Sequence, residues 1–171
     1  MYLKGEKEMS DNYVVVNGKR VELTDEQVKM LENKRKNPFE RVTKGNVYYN
    51  INGDGNVGVY REAGDSMDQN LYDGANYFTD ESVAQQVSLH QLLYRKLLKF
   101  AYDNEVEDTL EWDGRNAHFV IRYDKEYNEF AIDWHKIYKT QEVYFSSAYG
   151  AKRAIKEVVE PFMKEHPDFV W

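Results

Sequence analysis

Along this chain, short runs of alternating apolar and polar positions give way to helical spacing three times over. Tyr13-Val14-Val15-Val16 and Lys19-Arg20-Val21-Glu22-Leu23 flank Asn17-Gly18. Asn-Gly accepts the two positive φ values of a type I′ turn, so this stretch predicts a β-hairpin. Thr24 with Gln27 three positions on is a capping-box pattern, and Asp25 and Glu26 suit the positive end of a helix dipole. The helix is expected to bury Val28 and Leu31, to end in the basic turn Lys34-Arg35-Lys36 and to stop before Pro38.

The second alternation covers Val47-Tyr48-Tyr49-Asn50-Ile51 and residues 56–60, about the turn Asn52-Gly53-Asp54-Gly55. Residues 62–73 read as a polar, acidic loop. After Tyr77-Phe78, Thr79 is the expected cap of a long helix, which buries Val83, Val87, Tyr94, Leu97, Leu98 and Ala101. That stripe covers about 22 residues, or roughly 33 Å. His90 falls near it and reads as a core histidine.

In the third, residues 117–124 put Phe119, Ile121 and Tyr123 on one face, and residues 129–136 put Phe130, Ile132 and Trp134 on one face. Residues 141–145 read as a further strand, and Ser146 or Ser147 as the cap of a helix burying Ala151, Ile155, Val158 and Val159. Pro161 is expected to end or kink that helix at Glu160, and the apolar tail through Phe169, Val170 and Trp171 to dock.

The last two alternations are copies of one phrase. Tyr77-Phe78-Thr79 has Ala84 six residues after its Phe, and Tyr144-Phe145-Ser146 has Ala151 six residues after its own. Aligning Val47 with His118 gives spans of 31 and 27 positions, with the extra residues in the acidic loop. The expected fold is α+β: an N-terminal β-hairpin plus helix, then two repeated antiparallel sheet-plus-helix modules around a long central helix. The expected divisions are a tail at 1–11, a ββα unit at 12–38, and modules at 39–102 and 103–171.

Charge changes this picture. The net charge is −7, but residues 54–81 hold seven acids against Arg61 alone, and residues 103–113 hold six acids and no base. Outside these stretches, which sum to −12, the chain is net positive by five. Nucleic acid docks on the opposite sign, so the acidic stretches favour a basic protein partner. The candidate contact residues are Asp54, Glu62, Asp65, Asp68 and Asp73 in the first stretch, and Glu105, Glu107, Asp108, Glu111 and Asp113 in the second.

Composition narrows the setting. The 171 residues contain no cysteine, which excludes disulfides and cysteine-ligated zinc and fits a reducing cytoplasm. No apolar run reaches the roughly 20 residues of a membrane span. The first residues lack the apolar core of a secretory signal, so a cytoplasmic protein is expected.

Catalytic patterns fail on inspection. No Gly-rich loop precedes a helix, and no histidine pair has helical spacing. Asn52-x-Asp54-x-Asn56 resembles the start of a calcium loop, but Val57 and Ala63 occupy the positions that need Gly and the bidentate Glu. Asp133 and His135 share a strand face without a third ligand, so an exposed strand face is expected there. The expectation is a non-enzyme with neither cofactor nor metal.

The run 13–27, Val47-Tyr48-Tyr49 with its Asp54-Gly55 turn, Tyr77-Phe78-Thr79, Val143-Tyr144-Phe145-Ser146 and the ending 161–171 together resemble small accessory proteins of phages and mobile elements of Firmicutes. Some small acidic proteins of such neighbourhoods are counter-defence factors, including inhibitors of CRISPR nucleases. The resemblance implies a protein that inhibits a bacterial defence nuclease, a type II CRISPR effector or its RNA complex being favoured. The acids would then compete with target DNA or guide RNA for lysines and arginines. The alternative is a nucleic-acid-binding accessory module of phage replication or regulation, using sheet tyrosines and Lys34-Arg35-Lys36.

Overall fold

The computed structural model describes residues 12–32 and 37–171; the expected tail at 1–11, the side chain of Leu31 and the turn Lys34-Arg35-Lys36 lie outside them. The chain divides into two units between Asn37 and Pro38. In the first, β1 (Tyr13–Val16) pairs antiparallel with β2 (Lys19–Glu22) across Asn17 and Gly18, at φ 51° and 75°. The capping box opens α1 (Asp25–Glu32): Gln27 N donates to Thr24 Oγ1 at 3.2 Å, and Thr24 N to Gln27 Oε1 at 2.9 Å.

The second unit holds both copies of the repeat. In the first copy, β3 (Val47–Ile51) pairs with β4 (Val57–Arg61), and α2 (Ser66–Asp73) and α3 (Glu81–Asp103) follow. In the second, β5 (His118–Asp124) pairs with β6 (Glu129–His135), followed by α4 (Ala148–Ala154), a π-helical turn (Ile155–Val159) and α5 (Glu160–Glu165). The two hairpins remain separate two-stranded antiparallel sheets.

The repeated phrase has one structural job in both places. Tyr49 and Phe78 exchange reciprocal backbone hydrogen bonds at 2.8 Å each, and Phe119 and Phe145 exchange them at 3.1 and 2.8 Å. One residue of a Tyr-Phe pair thus docks against the first strand of each hairpin before the chain turns into a helix. Residues 141–145 do not form a strand; Phe145 makes single bridges to Glu107 and Phe119 only. The bridges also correct the alignment. His118 matches Tyr48 rather than Val47, and the spans from bridge to bridge are 29 and 26 positions.

The connection from β4 to Phe78 in the first copy contains α2, where an acidic loop was expected. Asp65 and Asp68 make a capping box there, with the Asp65 side chain accepting from the backbone N–H of Met67 and Asp68. A loop rich in Asp and Ser is therefore a helix start.

Helix α3 runs for 23 residues and is capped by Asp80, not Thr79, whose N–H donates to Pro38 O. Its buried residues are Ala84, Ser88, Leu93, Leu97, Phe100 and Ala101, so the inner stripe is turned away from the expected Tyr94 and Leu98, both exposed. The small Ala84 and Ser88 admit close neighbours, and the Ser88 hydroxyl donates to Gly55 O in the β3–β4 turn. Leu93, Leu97 and Phe100 meet Ile121, Phe145 and Ile155 in a shared core.

Pro161 does not end its helix. It lies in the first turn of α5, directly after the π-helical turn, where Glu160 N donates to Ile155 O. A proline lacks the N–H and crowds the carbonyl four residues back, and the widened turn before it relieves both problems. The tail docks as expected at Phe169, which is buried, while Val170 is exposed. Gln86 clasps it, donating to Asp168 O at 2.8 Å and accepting from Val170 N at 3.0 Å. His90 is exposed and meets the Phe169 ring edge-on at 4.6 Å rather than sitting in the core. Among the described residues no helix is long and apolar enough to cross a membrane.

Candidate functional site

The fold sorts the ten candidate acids into two kinds. Glu62 and Asp68 are buried, and so is the side chain of Asp108. Glu107 is half-buried, with Oε2 enclosed and unpartnered among the described residues. Asp54, Asp65, Asp73, Glu105, Glu111 and Asp113 are exposed. Glu62, Asp68 and Asp108 are therefore withdrawn from any contact surface, because each is spent on an internal partner.

In the first copy these partners form one cluster. Tyr48 and Tyr77, both fully buried, stack at 4.0 Å between ring centroids. The Tyr48 hydroxyl donates to Asp68 Oδ1 at 2.7 Å, and Ala63 N and Gly64 N donate to Asp68 Oδ2 at 2.7 and 2.8 Å. The Tyr77 hydroxyl donates to Glu62 Oε2 at 2.8 Å, and Arg41 grips Glu62 with two N–H groups at 3.1 Å each. The hydrogen bond from Tyr48, with those from the backbone, holds Asp68 down at about 2. Arg41 first, and then Tyr77, lowers Glu62. Burial and the neighbouring Glu62 push Tyr77 up to about 12, and burial with Asp68 raises Tyr48 further. These shifts lock each acid ionised and each phenol protonated. The cluster is a strut for α2 and β3.

The second copy repeats the theme with different residues. His118 is fully buried, and its Nδ1 lies 2.7 Å from Asp108 Oδ2. Trp112 lies flat on the imidazole, 3.7 Å away with 6° between the planes, and meets Tyr144 edge-on at 4.9 Å. Tyr144, the counterpart of Tyr77, has its hydroxyl 2.9 Å from His135 Nδ1 and accepts from Thr140 N at 3.1 Å.

Asp133 and His135 acquire neighbours that sequence spacing did not reveal. Arg122 lies on the same face of the hairpin and donates to Glu142 Oε1 at 2.8 Å. Its guanidinium also stands 3.8 Å from Asp133 and 3.4 Å from His135 Nε2. A fixed cation between the two carboxylates gives an ion-pair network. Among the described residues no group of three or more His, Asp or Glu is placed to hold a metal ion. The periodicity of β5 put Arg122 on this face; what it omitted was Glu142, which arrives from the irregular segment after β6.

The exposed acids fall in two stretches of the chain, on either side of α3 in sequence. The first stretch ends at Asp80 and Glu81 on the N-terminus of α3, and the second begins at Asp103 on its C-terminus. A helix of this length holds its two ends, and so Glu81 and Asp103, about 33 Å apart. Arg95, Lys96 and Lys99 are exposed between them, Lys99 paired with Asp103. Asp54 is occupied locally, accepting from Asn56 N at 3.0 Å and Asn56 Nδ2 at 2.9 Å, the turn that the failed calcium-loop pattern reduces to.

Comparison with protein-family models, with curated proteins and with solved structures gave no match to this chain.

Proposed function

We propose that this protein is a counter-defence factor of a phage or mobile element that binds and inhibits a bacterial defence nuclease, with a type II CRISPR effector as the favoured target. The observation that carries this reading is the segregation of acids. Glu62, Asp68 and Asp108 are inside and paired, while Asp65, Asp73, Glu105, Glu111 and Asp113 remain on the surface. Surface carboxylates in two sets steer a basic partner and set its orientation. Apolar anchors supply the rest of the affinity.

The alternative of a sheet that stacks bases through its tyrosines has less to offer, since of the strand tyrosines only Tyr13 is exposed, Tyr48 being buried and Tyr49, Tyr60 and Tyr123 half-buried. The test is target cleavage by reconstituted type II CRISPR nucleases, with this protein added before guide RNA, after guide RNA or after target DNA. Inhibition that depends on the order of addition identifies the nucleic acid being displaced. Undiminished cleavage in all three orders across several nucleases would overturn the proposal.

A further inference from the structure

The loop leaving β6 gathers aromatic and basic side chains on the surface of an otherwise acidic protein. Trp134 is 53% exposed, Ile137 69% and Tyr138 79%, all within five residues. Lys136 and Lys139 are interleaved with them. Lys136 Nζ lies 5.4 Å from the Trp134 ring, and Lys139 Nζ lies 5.6 Å from that of Trp112. Neither lysine makes an ion pair among the described residues. The nearby acids have partners of their own: Asp133 and Glu142 face Arg122, and Asp113 faces Arg115 at 3.8 Å.

Leaving three large apolar side chains in water while fixing two cations beside them serves no packing purpose. A flat ring has a face for any nucleobase, and a lysine one or two residues away reaches the adjoining phosphate. An apolar protein partner would use the rings but leave the two ammonium groups to be desolvated. A duplex would use the charges but hide its bases from the rings. We propose that the segment 134–139 binds single-stranded nucleic acid, stacking bases on Trp134 and Tyr138 and placing phosphates at Lys136 and Lys139. The site adjoins the second acidic stretch, since Lys139 stands over Trp112 between Glu111 and Asp113, but it uses other residues and does not depend on the counter-defence reading.

The test is titration of the full-length protein with a fluorescent dT12 or rU12 oligonucleotide, followed by anisotropy and by tryptophan emission. Binding should quench the emission, and two phosphate contacts predict a slope of log K against log salt of about −1.4. Tyr138→Ser should weaken binding on the order of tenfold, and Tyr138→Phe should retain it, because stacking needs the ring and not the hydroxyl. Lys136→Ala with Lys139→Ala should flatten the salt dependence. All these side chains are exposed, so folding is preserved, and circular dichroism checks it. No binding by the wild type, equal binding of Tyr138→Ser, or equally tight binding of duplex DNA or poly-glutamate would each overturn the proposal. The last result would mark the segment as a surface for acidic protein.

Discussion

Tyr48 and His118 hold the same place in the two copies of the module: each is fully buried, and each sits 2.7 Å from an aspartate oxygen, Asp68 in one case and Asp108 in the other. Each directly precedes the residue that bridges to the phenylalanine of the repeated phrase. The duplicated fold keeps an aromatic ring bonded to an aspartate at this point, although the ring is Tyr in one copy and His in the other, and the aspartate follows the hairpin in one and precedes it in the other.

Removing one hydroxyl tests the first of these bonds. Tyr48→Phe retains the stack on Tyr77 but deprives Asp68 of its closest side-chain donor. The expected loss is about 1–3 kcal/mol, because a buried polar group is left short of a partner. Urea denaturation at neutral pH, comparing midpoints at constant slope, measures it.

The lowered value of Asp68 fixes the direction of the acid response. Its native value of about 2 lies below the ordinary 3.8, so its contribution is complete above the ordinary value and is lost as pH falls towards about 2. Tyr77 works at the other end. Its native value of about 12 lies above the ordinary 10, so its contribution is lost as pH rises through that interval. Asp68→Asn should flatten the acid limb of a stability–pH curve and reduce only the part of the alkaline limb that comes from Tyr48, leaving that from Tyr77.

In the second copy, His118 and Asp108 should be strongly coupled. Replacing His118 with Phe, or Asp108 with Asn, should each cost about 1–3 kcal/mol, since each leaves its buried partner unpaired. The double variant should cost less than the sum. A double-mutant cycle read by denaturation measures this coupling, and additivity would place the stability in the Trp112 stack instead.

Gly150 offers a case in which two local rules disagree. In an exposed helix interior, Gly→Ala is worth roughly 0.5–1 kcal/mol of stabilisation. Here a Cβ would fall 2.9 Å from Val106 Cβ, and overpacking of that kind costs about 1–3 kcal/mol. Gly150→Ala should therefore destabilise the protein by thermal melting, and adding Val106→Ala should recover part of the loss.

The sequence made the hairpins legible because strand alternation and turn glycines are local signals; the observed strands differ from the expected ones by a residue or so. The long helix was equally plain in length, but its inner face was not. Small polar Ser88 is buried because the β3–β4 turn offers it a carbonyl, and no periodicity count anticipates that. The acidic loop misled for a related reason. Asp and Ser are loop formers in isolation, yet Asp65 and Asp68 close a capping box once Tyr48 and Arg41 give the neighbouring carboxylates buried partners. Which acids are available to a partner was thus not readable from charge density. It depends on long-range contacts.

The central claim is that the acids left on the surface, and not those inside, act on a nuclease. The most direct test compares inhibition of type II CRISPR cleavage by the wild type, by Asp65→Asn with Asp73→Asn, and by Glu105→Gln with Glu111→Gln and Asp113→Asn. Asn still caps α2 at position 65, so these variants change charge while keeping the fold. The account predicts inhibition by the wild type that falls at least tenfold in one or both variants, with melting temperatures unchanged. Full inhibition by both variants, or none by the wild type, would contradict it.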